Sequence, residues 1–264
     1  MQGRVCAYCG TALSAGVPGD VEHFRPKAKV QEDATHPGYW WLAYKYENYV
    51  LACRICNSSR KGNRFPLTGG TLRARLPTEA LTAERPVLFH PAEEPVEDAL
   101  TIEANDVLRV RAVGGQSARG NEVIALFYLG RADLARERLD ARDVVVDALA
   151  RGDMGAARRC ASRFEPHSAV AVAILVASGH PLPTAAEEAA WLAGQLLRQL
   201  EVALDALHTA SADDKERREA AVAEAAWAVA ALWRDPPDGD VAATEARLIA
   251  AGVRDLVAPL REAL

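Results

Sequence analysis

The chain has 264 residues, 50% of them hydrophobic and 25% charged. That is close to the globular average and excludes a disordered tail, a collagen or a small disulfide scaffold. The formal net charge is −5 and the pI about 5.7, which excludes a protein that coats nucleic acid over its whole surface. The longest wholly apolar run, 169–177, is far short of the roughly 20 residues that cross a bilayer. No apolar signal core follows Met1, so the expectation is a soluble, cytoplasmic protein with no membrane partner.

Along the chain, the first 70 residues stand apart. They hold nine Lys/Arg against five acids, a balance of +4 that leaves −9 for the remainder. A basic head on an acidic body suits a polyanionic partner, although charge alone fits an ordinary solvated face equally well. The head also holds four of the five cysteines, as two pairs, Cys6-Ala7-Tyr8-Cys9 and Cys53-Arg54-Ile55-Cys56. In a reducing compartment such pairs read as metal ligands rather than disulfides. Two intervening residues let both thiolates turn onto one ion, and two such knuckles close a tetrahedral site, which is structural Zn2+. A single redox pair would leave the second pair unexplained. Cys160 lies in an Ala-rich helical stretch and reads as a small packed side chain.

Residues 67–100, rich in Pro, Gly and Thr, read as a wrapping connector. Residues 100–113 alternate apolar and polar on either side of Asn105-Asp106, which predicts a short hairpin. From about Ser117 the pattern is helical. Predicted helices cover 118–129, 132–150, 154–163, 168–178, 184–210, 212–234 and 241–264. Breaks fall at Gly130, Gly152, Pro166, the Gly179-His180-Pro181 run and 236–239. No GxxxxGK[ST] phosphate loop is present, so the chain is not itself a P-loop ATPase.

Between the knuckles lie Val21-Glu22-His23-Phe24-Arg25-Pro26-Lys27, then Asn48, and after Cys56 comes Asn57-Ser58-Ser59-Arg60-Lys61. An acid beside a His, a middle Asn and an Asn opening a short helix suit a hydrolase for phosphodiesters. Glu22 and Asn57 offer oxygen ligands to one hard divalent ion, which would neutralise charge on the scissile phosphate. His23, left unligated, can take a proton from the attacking water, because imidazoles titrate near neutrality. Neighbours on a regular strand face opposite sides, so Glu22 and His23 meet at one phosphate only if the strand ends or bulges there, or if they reach round it from two directions. Arg25, Lys27, Arg60 and Lys61 are the expected phosphate contacts. Trp40, Trp41, Tyr44 and Tyr46 are expected to build the small module's core rather than to stack on bases. His36, His90, His167, His180 and His208 lack metal-ligand spacing.

The order Cys-x-x-Cys, Glu-His, Asn, Cys-x-x-Cys-Asn resembles the HNH (ββα-metal) endonuclease family. The runs Glu22-His23-Phe24-Arg25-Pro26-Lys27, Tyr39-Trp40-Trp41-Leu42-Ala43-Tyr44 and Leu88-Phe89-His90-Pro91 narrow the resemblance to its PtuB-like branch, the nucleases of Septu and certain retron anti-phage systems. It covers residues 1 to about 145. The resemblance implies His23 as general base, Asn48 pinning the loop that joins two strands, and Glu22 with Asn57 on Mg2+ or Mn2+. The implied fold is α+β: a zinc-braced ββα-metal nuclease module (1–70), a connector with a β-hairpin (71–115) and a mostly helical C-terminal half (116–264). The implied function is endonucleolytic cleavage of DNA in anti-phage defence, with an ABC-type ATPase as partner. Three readings stay open beside it: a ribonuclease for structured RNA such as tRNA, a zinc-braced nucleic-acid-binding protein that does not cut, and a homodimer built on the helical half.

Overall fold

The computed structural model describes residues 4–195, leaving out 15, 92, 95, 97, 98, 104–108, 189 and 193, together with residue 202. The chain forms two compact units, Met1–Leu182 and Pro183–Leu264. The first is α+β. Its strands β1 (Gly19–His23) and β2 (Tyr49–Cys53) pair antiparallel, with Gly19 opposite Cys53 and His23 opposite Tyr49. A π-helical segment, Ile55–Lys61, follows β2 directly. A second antiparallel pair, β3 (Leu100–Ile102) with β4 (Val110–Ala112), is the hairpin expected from the alternating pattern, and its turn lies outside the described residues.

Four helices follow: α1 (Ser117–Phe127), α2 (Ala132–Ala150), α3 (Met154–Cys160) and α4 (Ser168–Ala177). The bounds of α2 are those its apolar spacing predicts. The expected 154–163 helix stops at Cys160, where Ala161 N and Ser162 N turn to the i−3 carbonyls of Arg158 and Arg159 at 3.0 Å each. Asp153 caps α3 by accepting from Ala156 N at 2.9 Å. In the second unit residues 185–188 are helical, and the expected 212–234 and 241–264 helices lie outside the described residues.

One apolar cluster joins the first knuckle, β2, the connector and the first two helices. It runs from Cys6 and Phe24 through Tyr39, Phe65 and Val87 to Phe127 and Leu134. The residues expected only to wrap, 67–100, thus contribute core side chains, because Val87, Leu88 and Phe89 form an apolar run that inserts beneath the head. Glu84 anchors the same stretch. Its buried carboxylate accepts from Arg25 Nε at 2.9 Å, Tyr39 OH at 2.7 Å and Ala74 N at 3.0 Å. A separate cluster packs α2, α3 and α4 through Val145, Ala157 and Leu175.

Leu134 on α2 is fully buried in the cluster that holds the cysteines. Leu134→Ala is expected to lower unfolding free energy by about 2–5 kcal/mol and to lower the midpoint of the head and α2 together, as read by urea denaturation followed by circular dichroism.

Candidate functional site

The sulfurs of Cys6, Cys9, Cys53 and Cys56, all buried, lie within 4.8 Å of one another. Local hydrogen bonds shape the first knuckle: Cys6 N donates to Thr11 O at 2.9 Å and Gly10 N to Cys6 O at 3.0 Å. Gly10 takes the left-handed conformation (φ 78°) that this tight turn requires. Ala7 N donates to Leu51 O at 2.9 Å and fastens the knuckle to β2. Tetrahedral zinc with Zn–S bonds of roughly 2.3 Å places its sulfurs about 3.8 Å apart, and Cys9 Sγ stands 3.9 Å from Cys53 Sγ. Hydrogen bonds among the sulfurs push the Cys6 and Cys56 thiols up and the Cys9 and Cys53 thiols down. A divalent cation would favour the thiolate form of all four. The residues fit a zinc ion.

Two buried arginines supply counter-charge to such a centre. Four thiolates around Zn2+ leave a net negative charge. Arg131 reaches Cys9, and although burial works against its charge, Asp133 and Cys9 hold it up. Burial lowers Arg138, with Cys9 opposing, and its Nη2 donates to Leu129 O at 2.7 Å. A third tie runs from Thr11, whose hydroxyl donates to Glu137 Oε2 at 2.9 Å, to His167, whose Nε2 donates to the same oxygen at 2.6 Å. His167 N also donates to Gly10 O at 3.0 Å. None of these partners was legible in the sequence, because each is far from the cysteines along the chain.

On β1, alternation places Asp20 and Glu22 on the face they share with their partners Ala52 and Val50, where the π-helical segment packs. Two residues four apart on that segment meet two carboxylates two apart on the strand. Asn57 Nδ2 donates to Asp20 Oδ2 at 3.0 Å, and Lys61 Nζ pairs with Glu22 Oε1. Lys61 also donates to His23 O at 2.9 Å. Burial raises the Glu22 carboxyl and lowers the Lys61 ammonium, each offset by the other's charge. Glu22 and Asn57, expected to share one ion, are therefore each held by a different neighbour, and Asp20 joins the group. The Asp-x-Glu spacing on one strand was the signal that could have found Asp20.

His23 ends β1 and projects from the other face, beside Tyr49 (ring centroids 5.2 Å apart, edge-on). Its Nε2 lies 3.0 Å from Ala43 O, and Tyr49 OH donates to the same carbonyl at 2.7 Å. A carbonyl only accepts, so His23 Nε2 carries the hydrogen and Nδ1 is the basic nitrogen. Asn48, buried, clasps the chain just after His23: its Oδ1 accepts from Arg25 N at 2.8 Å and its Nδ2 donates to Arg25 O at 3.0 Å.

Of the four expected phosphate contacts, Lys27 is exposed. Lys61 is 1% exposed and directed inward at Glu22. Arg25 is held by Glu84 over the Phe65 ring, and Arg60 lies over Tyr128. The aromatic expectation also changes. Tyr39, with Phe24 and Phe65, fills the core and Trp41 packs against it, whereas Trp40, Tyr44 and Tyr46 are exposed.

Fold and cluster together define an α+β protein with a four-cysteine centre suited to zinc. Over 137 residues the chain is 31% identical to the Septu protein PtuB of Bacillus mycoides (strain KBAB4), a match covering 50% of this chain and 45% of that protein. The chain thus spans less than half the length of that curated relative. The likeness bears out the resemblance to the PtuB-like branch. No family model matches the chain, and no solved structure matches it. Among the described residues no helix is long and apolar enough to cross a membrane.

Cys53→Ser is expected to remove bound zinc, measured by release to a chromogenic chelator, and to abolish cooperative melting of the head. Normal zinc content and melting would contradict the four-sulfur site. Lys61→Met is expected to cost about 3–5 kcal/mol by leaving Glu22 buried without its partner, whereas Lys61→Met with Glu22→Leu recovers most of that loss. Urea denaturation of the single and double variants checks this.

Proposed function

We propose that the chain is a metal-dependent HNH-type endonuclease that hydrolyses phosphodiester bonds of DNA in anti-phage defence. In this reading residues 1–70 are the nuclease module, 71–115 the connector and 116–264 the helical docking half. The observation that carries it is the setting of His23. An imidazole at the end of β1 has its Nε2 hydrogen tied to the Ala43 carbonyl and its backbone exit clasped by Asn48. That leaves a fixed ring with Nδ1 as base, the arrangement a water-activating histidine needs. The likeness to a Septu protein supports the defence role.

Asp20, Glu22 and Asn57 present oxygen donors, which suit Mg2+ or Mn2+ over Zn2+. Asp20 and the Asn57 amide stand 3.0 Å apart, about the separation of neighbouring oxygens around Mg2+ with bonds of roughly 2.1 Å. A half-turn of the amide presents its oxygen. Such an ion would neutralise charge on the scissile phosphate and the departing oxygen. Lys61 neutralises Glu22 within the protein and would have to shift for Glu22 to join Asn57 as a ligand. His23 Nδ1 takes the proton of the attacking water, and Ala43 and Tyr49 keep the ring in place while it does so. The exposed Lys27 holds substrate phosphate. The helical half docks an ABC-type ATPase or a second copy of the chain.

The deciding experiment offers supercoiled plasmid and bulk tRNA in parallel, with and without Mg2+, to the parent protein and to His23→Ala. Nicked or linear plasmid that depends on both Mg2+ and His23 is the expected result, with cleavage by His23→Ala reduced at least about a hundred-fold and zinc content unchanged. Loss of tRNA alone would move the reading to a ribonuclease. Cleavage by His23→Ala at the parent rate would overturn the base assignment.

A further inference from the structure

We infer that the segment joining β1 to β2 is a stacking platform for the unpaired bases of a nucleic-acid strand, set beside His23. The inference rests on the nuclease reading and names its substrate class. Trp40 is 56% exposed, Tyr46 77% and Tyr44 95%. Large rings left in water forgo the burial that makes aromatics core residues, and an exposed apolar patch marks a surface that meets something. The platform is anchored from below. Tyr39 is fully buried and bonded to Glu84, and Trp41 packs against Tyr39 with ring centroids 5.6 Å apart. Gly38 admits the turn into the segment with φ 88°, where an added Cβ would come within 2.5 Å of Ala28 backbone.

The segment is also tied to the candidate base. The Ala43 carbonyl that holds His23 and Tyr49 lies next to Tyr44 in the chain, and Leu42 O accepts from Asn48 Nδ2 at 3.4 Å. Val21, on the His23 face of β1, is exposed as well. Charge selects the occupant. Residues 40–46 contain one charged side chain, the exposed Lys45, and the exposed Glu47 follows; on the preceding loop Lys27 and Lys29 are exposed, with Glu32 and Asp33 further along it. Aromatic faces interleaved with cations suit bases and phosphates of a single strand. A duplex keeps its bases stacked on one another and has no such faces to give. A protein partner could also cover aromatic rings, but the position beside His23 and the exposed Lys27, Lys29 and Lys45 favour the strand.

The test uses the full chain carrying His23→Ala, so that bound strands stay intact. Fluorescence anisotropy follows labelled oligothymidylate, labelled oligouridylate, and the same thymidylate strand annealed to oligoadenylate. The expected result is binding of the unpaired strands about ten-fold tighter than the duplex or more. Tyr44→Ala and Tyr46→Ala should each weaken it about ten-fold, while Tyr44→Phe and Tyr46→Phe bind as the parent does. The two unpaired strands separate a DNA from an RNA preference, and tight binding of either supports the platform. Duplex binding as tight as single-strand binding, or alanine variants that bind like the parent, overturns the platform alone. Absence of binding to every strand overturns the platform together with the nuclease reading.

Discussion

Four cysteine sulfurs brought within 4.8 Å of one another set the position of almost everything else in the first unit. The two knuckles lie at opposite ends of the head sequence, so bringing them together closes the chain that carries β1, the aromatic segment and β2. The second knuckle opens the π-helical segment, and the first is hydrogen-bonded to β2 through Ala7 and Leu51. The centre is not confined to the head. Arg131 and Arg138 bring positive charge to it from the start of the helical region, and Glu137 with His167 holds the turn just past Cys9. A buried ionic centre of this kind is stable only when its surroundings complete its charge and hydrogen bonds. The helices are therefore part of the centre's environment.

The two faces of β1 divide the work. One face sets the half-buried Asp20 against Asn57 and buries Glu22 against Lys61, whose charges compensate. The other carries His23 and Val21 toward the aromatic segment. Because the strand ends at His23, the ring is free of the β-ladder's constraints beyond it, and its orientation is set by a backbone carbonyl. An imidazole placed in this way keeps one tautomer without a carboxylate partner.

Short-range features were legible in the sequence. The cysteine spacing announced the four-sulfur site, period-two alternation gave the β3–β4 hairpin, and three- and four-residue spacing gave α2 to the residue. What escaped were contacts between residues distant in sequence that carry no periodic signature: Glu84 gathering Arg25, Tyr39 and Ala74, or Lys61 lying against Glu22. The aromatic run shows the same limit. Composition says that so small a module wants buried rings, but not which ones; Tyr39 and Phe65 take the interior, and Tyr44 and Tyr46 are turned out. Lys61 is the sharpest case: the sequence marks it as a phosphate contact, and it is directed inward at Glu22.

The adjacency of Cys56 and Asn57 has a consequence for the order of assembly. Asn57 directly follows Cys56 in the segment that the second knuckle opens, so an ion that fixes the knuckle would also fix the side chain that reaches Asp20. On the proposed reading, the soft-metal centre is assembled first and the hard-donor group of Asp20, Glu22 and Asn57 after it. Zinc supply would then govern the proposed nuclease site, although the chemistry proposed for that site draws on a different ion.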